Sequence, residues 1–172
     1  FDLKYDWQLA SPSADEAFLA LAKKAGLEAS VATLLYERGI QTKEDLEDFL
    51  EPKLEKLHDP YLLHDMDKAV ERIRRAIEDY EQILIYGDYD ADGMTSASIM
   101  NETLEQMGAE VQVYLPNRFT DGYGPNESVY KYFIEQQGIS LIISVDNGVA
   151  GNQAIAMAQA MGVDVIVTDH YS

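Results

Sequence analysis

Three aspartates, Asp88, Asp90 and Asp92, stand at alternate positions directly after the apolar run "ILIYG". Carboxylates about 5 Å apart repel by roughly 3 kcal/mol per pair at an effective dielectric near 20, so folding alone does not favour crowding them there. A cation that sits among them would. Further along, Asp146 in "SVDNGV" and Asp169 and His170 in "VTDHY" also follow β-rich runs. Aspartates with one histidine, in a chain without cysteine, suit hard or borderline divalent ions such as Mn²⁺ or Mg²⁺. Two such ions about 3.5–4 Å apart can activate a water and stabilise both the attacking and the leaving oxygen of a phosphoryl displacement.

Such chemistry requires elements that bring these residues to one place. From Gln82 the runs "QILIYG", "EVQVYL", "SLIISV" and "VDVIVT" alternate with amphipathic stretches near Met94 to Met107, Glu127 to Gln137 and Ala150 to Met161. That alternation predicts an α/β fold, a parallel sheet of βαβ units with right-handed crossovers. Ligands of such sheets bind beyond the carboxyl ends of the strands. All four predicted strands deliver polar residues to that edge, the second through "PNRFTDGYGPN" with Arg118. One such residue would read as a cap or a turn. Four at one edge read as a site, with Gly93 expected to allow a tight turn and Thr95 and Ser96 to open the next helix toward an anion.

Ahead of the sheet the pattern is helical, and a small helical N-terminal lobe over residues 1–64 is expected before an α/β domain over 65–172. Ser13 stands three residues before Glu16, a capping-box spacing, with Gly26 as a left-handed stop; Thr42 is the expected cap of a third helix. A longer helix from Asp65 to Glu81 carries Val70, Ile73, Ile77 and Tyr80 on one stripe. His58 and His64 read as structural.

The balance of 13 basic against 31 acidic residues argues against a simple polyanion binder. After Arg75 the basic side chains are Arg118 and Lys131 alone, against fifteen acidic ones, so metal ions or a further domain must supply positive charge to any phosphate backbone. No apolar run approaches the 18 residues of a membrane span and the first residues lack signal-peptide character, which makes the cytoplasm the expected compartment and a membrane role unexpected. The missing initiator Met and a last run that stops just after a strand lead us to expect a piece of a longer protein.

Together "GDYDADG", "PNRFTDGYGPN", "SVDNGV" and "VTDH", with "LLYERGI" and "FLEPKLEKLHDPYLLHDMDKAVERI" upstream, closely resemble the RecJ exonucleases of the DHH phosphoesterase superfamily. The resemblance implies a two-metal enzyme that degrades single-stranded DNA from the 5′ end in bacterial repair and recombination, with Mn²⁺ or Mg²⁺ as cofactor. It implies Asp88, Asp90, Asp92, Asp146 and His170 as metal ligands and catalytic residues, Asp146 bridging both ions. Asp169 and Asn147 would hold the ligands in position, Asp169 by orienting the imidazole. Arg118 and Tyr171 would face the substrate phosphate. Single-stranded DNA is the implied partner, with a single-stranded-DNA-binding protein and a RecQ-type helicase as further ones, and the chain is expected to be a monomer. Tyr171 stands where the family's motif has its second His, and a phenol with a pKa near 10 cannot take over the role of an imidazole at neutral pH. The family's downstream aspartate ligand and further domains also lie outside this chain, so it is expected to be an incomplete catalyst.

Alternatives differ in the same motifs. DHH phosphodiesterases acting on nano-RNA or cyclic dinucleotides, and manganese pyrophosphatases, begin the first motif with a His where this chain has Tyr86. Haloacid-dehalogenase-type phosphatases want Thr or Val two positions after the second Asp, where this chain has Asp92 or Met94. A catalytically inactive RecJ-like binding module is the reading that Tyr171 favours.

Overall fold

The computed structural model describes residues 13–122 and 124–170, so Tyr171 lies outside the described residues. The chain divides between Asp59 and Pro60 into two compact units, a few residues ahead of the 64/65 boundary expected from the sequence.

The first unit holds three short helices, α1 (Glu16–Lys24), α2 (Ala29–Glu37) and α3 (Lys43–Leu50). They close on a core of Phe18, Ala22, Ala32, Leu35 and Leu46. The cap of α1 is Asp15 and not Ser13: the Asp15 carboxylate accepts from Ala17 N at 2.8 Å. An aspartate caps as well as a serine and also faces the positive end of the helix dipole. Thr42 caps α3 as expected, in a full capping box with Asp45.

The second unit opens with a 3-10 turn (Pro60–Leu62) and α4 (Met66–Glu78). This helix is shorter than the pattern suggests because Asp65 and Tyr80 both adopt left-handed backbone, with φ of 56° and 55°. Tyr80 is therefore exposed beyond the helix end instead of lying on its apolar stripe. The sheet follows: β1 (Gln82–Tyr86), α5 (Ala91–Gln106), β2 (Glu110–Tyr114), α6 (Glu127–Gln137), β3 (Ile139–Val145), α7 (Asn152–Ala160) and β4 (Asp164–Thr168). All pairings are parallel, in the order β2-β1-β3-β4. An α/β fold with a parallel sheet is thus present as expected. No helix among the described residues is long and apolar enough to cross a membrane.

Alternation along the strands fills both faces. Ile83 and Ile85 of β1 and Leu141, Ile143 and Val145 of β3 pack against Ala76 of α4 and Ala97 and Leu104 of α5. Leu84, Tyr86 and Ile142 face Tyr130 of α6 and Ala154 and Ala158 of α7. Central strands buried on both faces must be apolar throughout, which is why "ILIY" and "LIISV" lack the one-sided pattern of an exposed sheet. The path moves from β1 out to β2, then returns over β1 to β3, so the direction of winding reverses between β1 and β3. With crossovers of fixed hand, that reversal sends α5 to one face and α6 and α7 to the other, and opens a crevice at the carboxyl ends of β1 and β3.

At the opposite edge Arg72 ties α4 to the start of the sheet. Its Nη2 donates to Glu81 Oε2 and its Nε to Asp164 Oδ2, both at 2.6 Å, while Ser140 Oγ also donates to Glu81 at 2.8 Å. Burial pushes the Glu81 carboxyl up, but the Arg72 guanidinium and the Ser140 hydroxyl outweigh it and hold it below the ordinary glutamate range. A depressed carboxyl stabilises the fold above its unfolded pKa and loses that contribution as pH falls through the folded one. Arg72→Met is therefore expected to cost about 1.5–3 kcal/mol at pH 7 and progressively less below about pH 4, as Glu81 protonates in the parent; urea titration at both pH values checks the difference.

Gly93, buried in the first turn of α5, lets that helix press on the residue that follows β1. A Cβ there would meet Asp88 N, Cα and Cβ at 2.5, 2.6 and 2.6 Å. Its purpose is close approach of two backbone segments, whereas the sequence suggested a tight turn. Gly93→Ala should destabilise the chain by about 1–3 kcal/mol. Thermal melting would show it as a drop of about 2–4 °C for each kcal/mol.

Candidate metal centre

The crevice at the winding reversal is where the predicted residues meet. Asp88 follows β1 by one glycine and is 4% exposed, its Oδ1 accepting from Tyr89 N at 2.8 Å. Asp90 caps α5 through Gly93 N at 3.0 Å, and Asp92 lies in the first turn of that helix. Asp146 follows β3 and continues its ladder, donating N–H to Thr168 O at 2.9 Å. It does so with a left-handed φ of 54°, an uncommon conformation for a residue with a side chain and one that tends to mark functional sites. Gly148, two residues on, has φ 124°, and a Cβ there would lie 2.6 Å from Ser144 Oγ.

Ligand atoms of Asp88, Asp90 and Asp146 lie within 4.8 Å of one another, and so do those of Asp92, Asp146 and His170. Asp146 belongs to both groups. His170 Nε2 sits 3.0 Å from Asp146 Oδ1. Burial pushes the Asp146 carboxyl above the ordinary aspartate range and the charges of Asp90 and Asp92 push it further, while His170 opposes them. The donor set is carboxylate oxygen with one imidazole and no thiolate, and the carboxylates outnumber any nearby cation of the chain. It fits hard or borderline divalent cations.

Residues around the cluster fix its parts. Asp169 Oδ2 accepts from Val149 N at 3.3 Å and its Oδ1 from His170 N at 2.8 Å. It thus ties the loop after β3 to the end of β4 through the main chain. Asn147 is 1% exposed, and its Nδ2 donates to Gly87 O at 3.4 Å, linking the ends of β1 and β3. Its Oδ1 is buried with no hydrogen-bond partner. Thr95 and Ser96 are not presented to an anion: Thr95 Oγ1 donates to Ala91 O and Asp92 O, and Ser96 Oγ to Asp92 O, bonding back into their own helix.

Arg118 stands in the segment after β2 with its Cζ 5.6 Å from the centre of the Tyr89 ring, so it overhangs the residue between Asp88 and Asp90. Two contributors were not singled out from the sequence. Tyr89 seats Arg118, and a tyrosine between two aspartates offers no periodicity that would reveal this. Asp121 anchors the Arg118 segment by accepting from Tyr114 Oη and Asn117 N, both at 2.7 Å; these bonds hold its carboxyl below the usual range. The Asn-x-x-x-Asp spacing from Asn117 was the available signal.

Comparison with known proteins agrees with this arrangement. Residues 82–171 match the DHH family, N-terminal domain. The single-stranded-DNA-specific exonuclease RecJ of Bacillus subtilis is 42% identical over 168 residues, which is 98% of this chain and 21% of that protein. RecJ of Escherichia coli is 34% identical over 140 residues, 80% of this chain and 23% of that protein. A crystal structure of exonuclease RecJ bound to manganese superposes with a TM-score of 0.59 at 31% identity, over 64% of this chain and 28% of that one. RecJ from Thermus thermophilus in complex with Mn²⁺ gives 0.64 at 26% identity, over 91% of this chain and 21% of that one. The chain thus spans about a fifth of the length of the first of these relatives. From the first residue of β1 through the carboxylates and His170, sequence match and fold coincide, and the chain belongs to the DHH family.

Proposed function

We propose that this chain carries the metal-binding half of a single-stranded-DNA exonuclease that hydrolyses phosphodiester bonds with two Mn²⁺ or Mg²⁺ ions. The observation that carries this reading is the membership of Asp146 in both ligand groups, which lets one carboxylate serve two ions. Support comes from relatives named single-stranded-DNA-specific exonucleases and from RecJ structures described as bound to manganese or magnesium. Degradation from the 5′ end, a place in DNA repair and recombination in the cytoplasm, and contact with a single-stranded-DNA-binding protein or RecQ-type helicase belong to the same proposal.

In this reading Asp88 and Asp90 supply oxygens on one side of Asp146, and Asp92 and His170 complete the other. Bound ions would supply an acidified water and a positive field for the phosphate oxygens. Asn147 and Asp169 tie the ends of β1, β3 and β4 to one another. Metal ligands must be deprotonated to coordinate, so metal affinity falls on acidification. Arg118, seated on Tyr89, offers a planar fork that pairs bidentately with phosphate oxygens. The substrate-phosphate role that the resemblance implies for Tyr171 belongs to the same proposal.

Mn²⁺ at a hundredfold excess over its Kd should stabilise the chain by about 2.7 kcal/mol, seen as a rise of about 5–10 °C in Tm. Asp146→Ala should abolish this shift. Asp164→Ala, at the other end of β4 and bonded to Arg72, should lower the starting Tm yet retain the shift. An undiminished shift in Asp146→Ala contradicts the shared-ligand reading. Arg118→Ala should weaken binding of a 5′-phosphorylated single strand by about 10- to 150-fold, the equivalent of 1.5–3 kcal/mol for a charged hydrogen bond, as measured by fluorescence anisotropy with Mg²⁺ present.

A further inference from the structure

Phe119, next to Arg118, is 94% exposed, the most exposed large apolar side chain among the described residues. A single exposed ring is ordinary on a protein surface, and what sets Phe119 apart is its place beside the Arg118 guanidinium that overhangs Tyr89. The backbone that presents it is firmly held. Phe119 N donates to Asn117 Oδ1 at 2.9 Å, Thr120 N and Asp121 N both donate to Asn117 O, and the Asp121 carboxylate accepts from Asn117 N, Tyr114 Oη and Thr120 Oγ1. Asn126 Nδ2 closes the segment by donating to Asp121 O at 3.0 Å. The ring thus projects from an ordered turn.

Its neighbour supplies the chemistry of the partner. The Arg118 guanidinium overhangs Tyr89, between Asp88 and Asp90, and a phosphate held there would place the adjoining nucleoside beside the same turn. Nucleobases present an apolar π-face to an aromatic ring whatever their sequence, and such stacking is a common way to hold single strands. We propose that Phe119 is a stacking platform for a nucleobase next to the phosphate at the metal centre, a binding residue that selects unpaired nucleic acid over base-free phosphodiesters. This rests on the proposed function above, because it takes Arg118 as the phosphate contact.

The test is a titration of the chain, with Mg²⁺, into a single-stranded oligothymidylate carrying 2-aminopurine, whose fluorescence is quenched by stacking, and into an abasic strand of equal length read by anisotropy. The parent should quench the probe. Phe119→Ala should remove the quenching and shrink the preference for the base-bearing over the abasic strand by about 5- to 140-fold, from a stacking contribution of about 1–3 kcal/mol, and Phe119→Trp should restore both. Absent quenching in the parent, an unchanged preference in Phe119→Ala, or no restoration by Trp overturns the proposal. So does Phe119-dependent self-association in sedimentation with quenching unaltered, which assigns the ring to a protein contact. The Mn²⁺ melting shift and its loss in Asp146→Ala do not involve Phe119. A retained shift with absent quenching therefore removes the stacking platform alone, and a lost shift with retained quenching removes the metal reading of the site.

Discussion

Mutual repulsion among Asp88, Asp90, Asp92 and Asp146 is the constraint around which the second unit is organised. His170, 3.0 Å from Asp146, offsets only part of it, so the carboxylates stay together because the sheet beneath holds them there. Ile83, Ile85, Leu141 and Ile143 are fully buried in one layer and Leu84, Tyr86 and Ile142 in the other. Burying a side chain of this size contributes about 1.5–3 kcal/mol. Several such residues along β1 and β3 outweigh a repulsion of roughly 3 kcal/mol per pair. Burial raises the Asp146 carboxyl most, and the charges of Asp90 and Asp92 add to that rise in the folded chain.

Backbone geometry then turns a crowded edge into a defined one. The left-handed Asp146, the approach of α5 to Asp88 at Gly93, and the Asn147 and Asp169 bridges each fix one strand end relative to another. The Asn147 and Asp169 bridges end on main-chain groups and so take no lone pair from the ligand side chains. The Arg72 cluster performs the matching task at the far edge, joining α4, β1 and β4 through two ion pairs.

Much of this was legible in the residues. Strand order was not needed to expect convergence, since any parallel sheet brings its carboxyl ends to one edge, and Asp88, Asp90, Asp92, Asp146 and His170 all follow strand-like runs. What stayed hidden depended on distances between segments far apart in the chain. Gly93 looks like a turn glycine until Asp88 is seen against it. Thr95 and Ser96 look like anion donors, but in a helix their hydroxyls reach the carbonyl one turn back. Tyr80 fits a helical stripe by spacing, and its left-handed backbone at the end of α4 removes it from that stripe. Asp169 also accepts from Val149 N, a partner twenty residues back that depends on the path of the loop after β3.

The central place of β1 has a consequence for synthesis. Its partner on one side, β2, lies directly downstream, but its other partner, β3, ends only at Val145. At about 5–20 residues per second, the ribosome takes about 3–12 s to pass from Tyr86 to Val145. During that interval one flank of "ILIY" has no strand to pair with, and the emerging chain offers an apolar ribbon with open hydrogen-bonding groups. Early docking of α4 and α5 through Ala76, Ala97 and Leu104 would cover one face of β1 meanwhile. The nascent chain is thus most open to chaperone capture or mispairing before β3 leaves the exit tunnel.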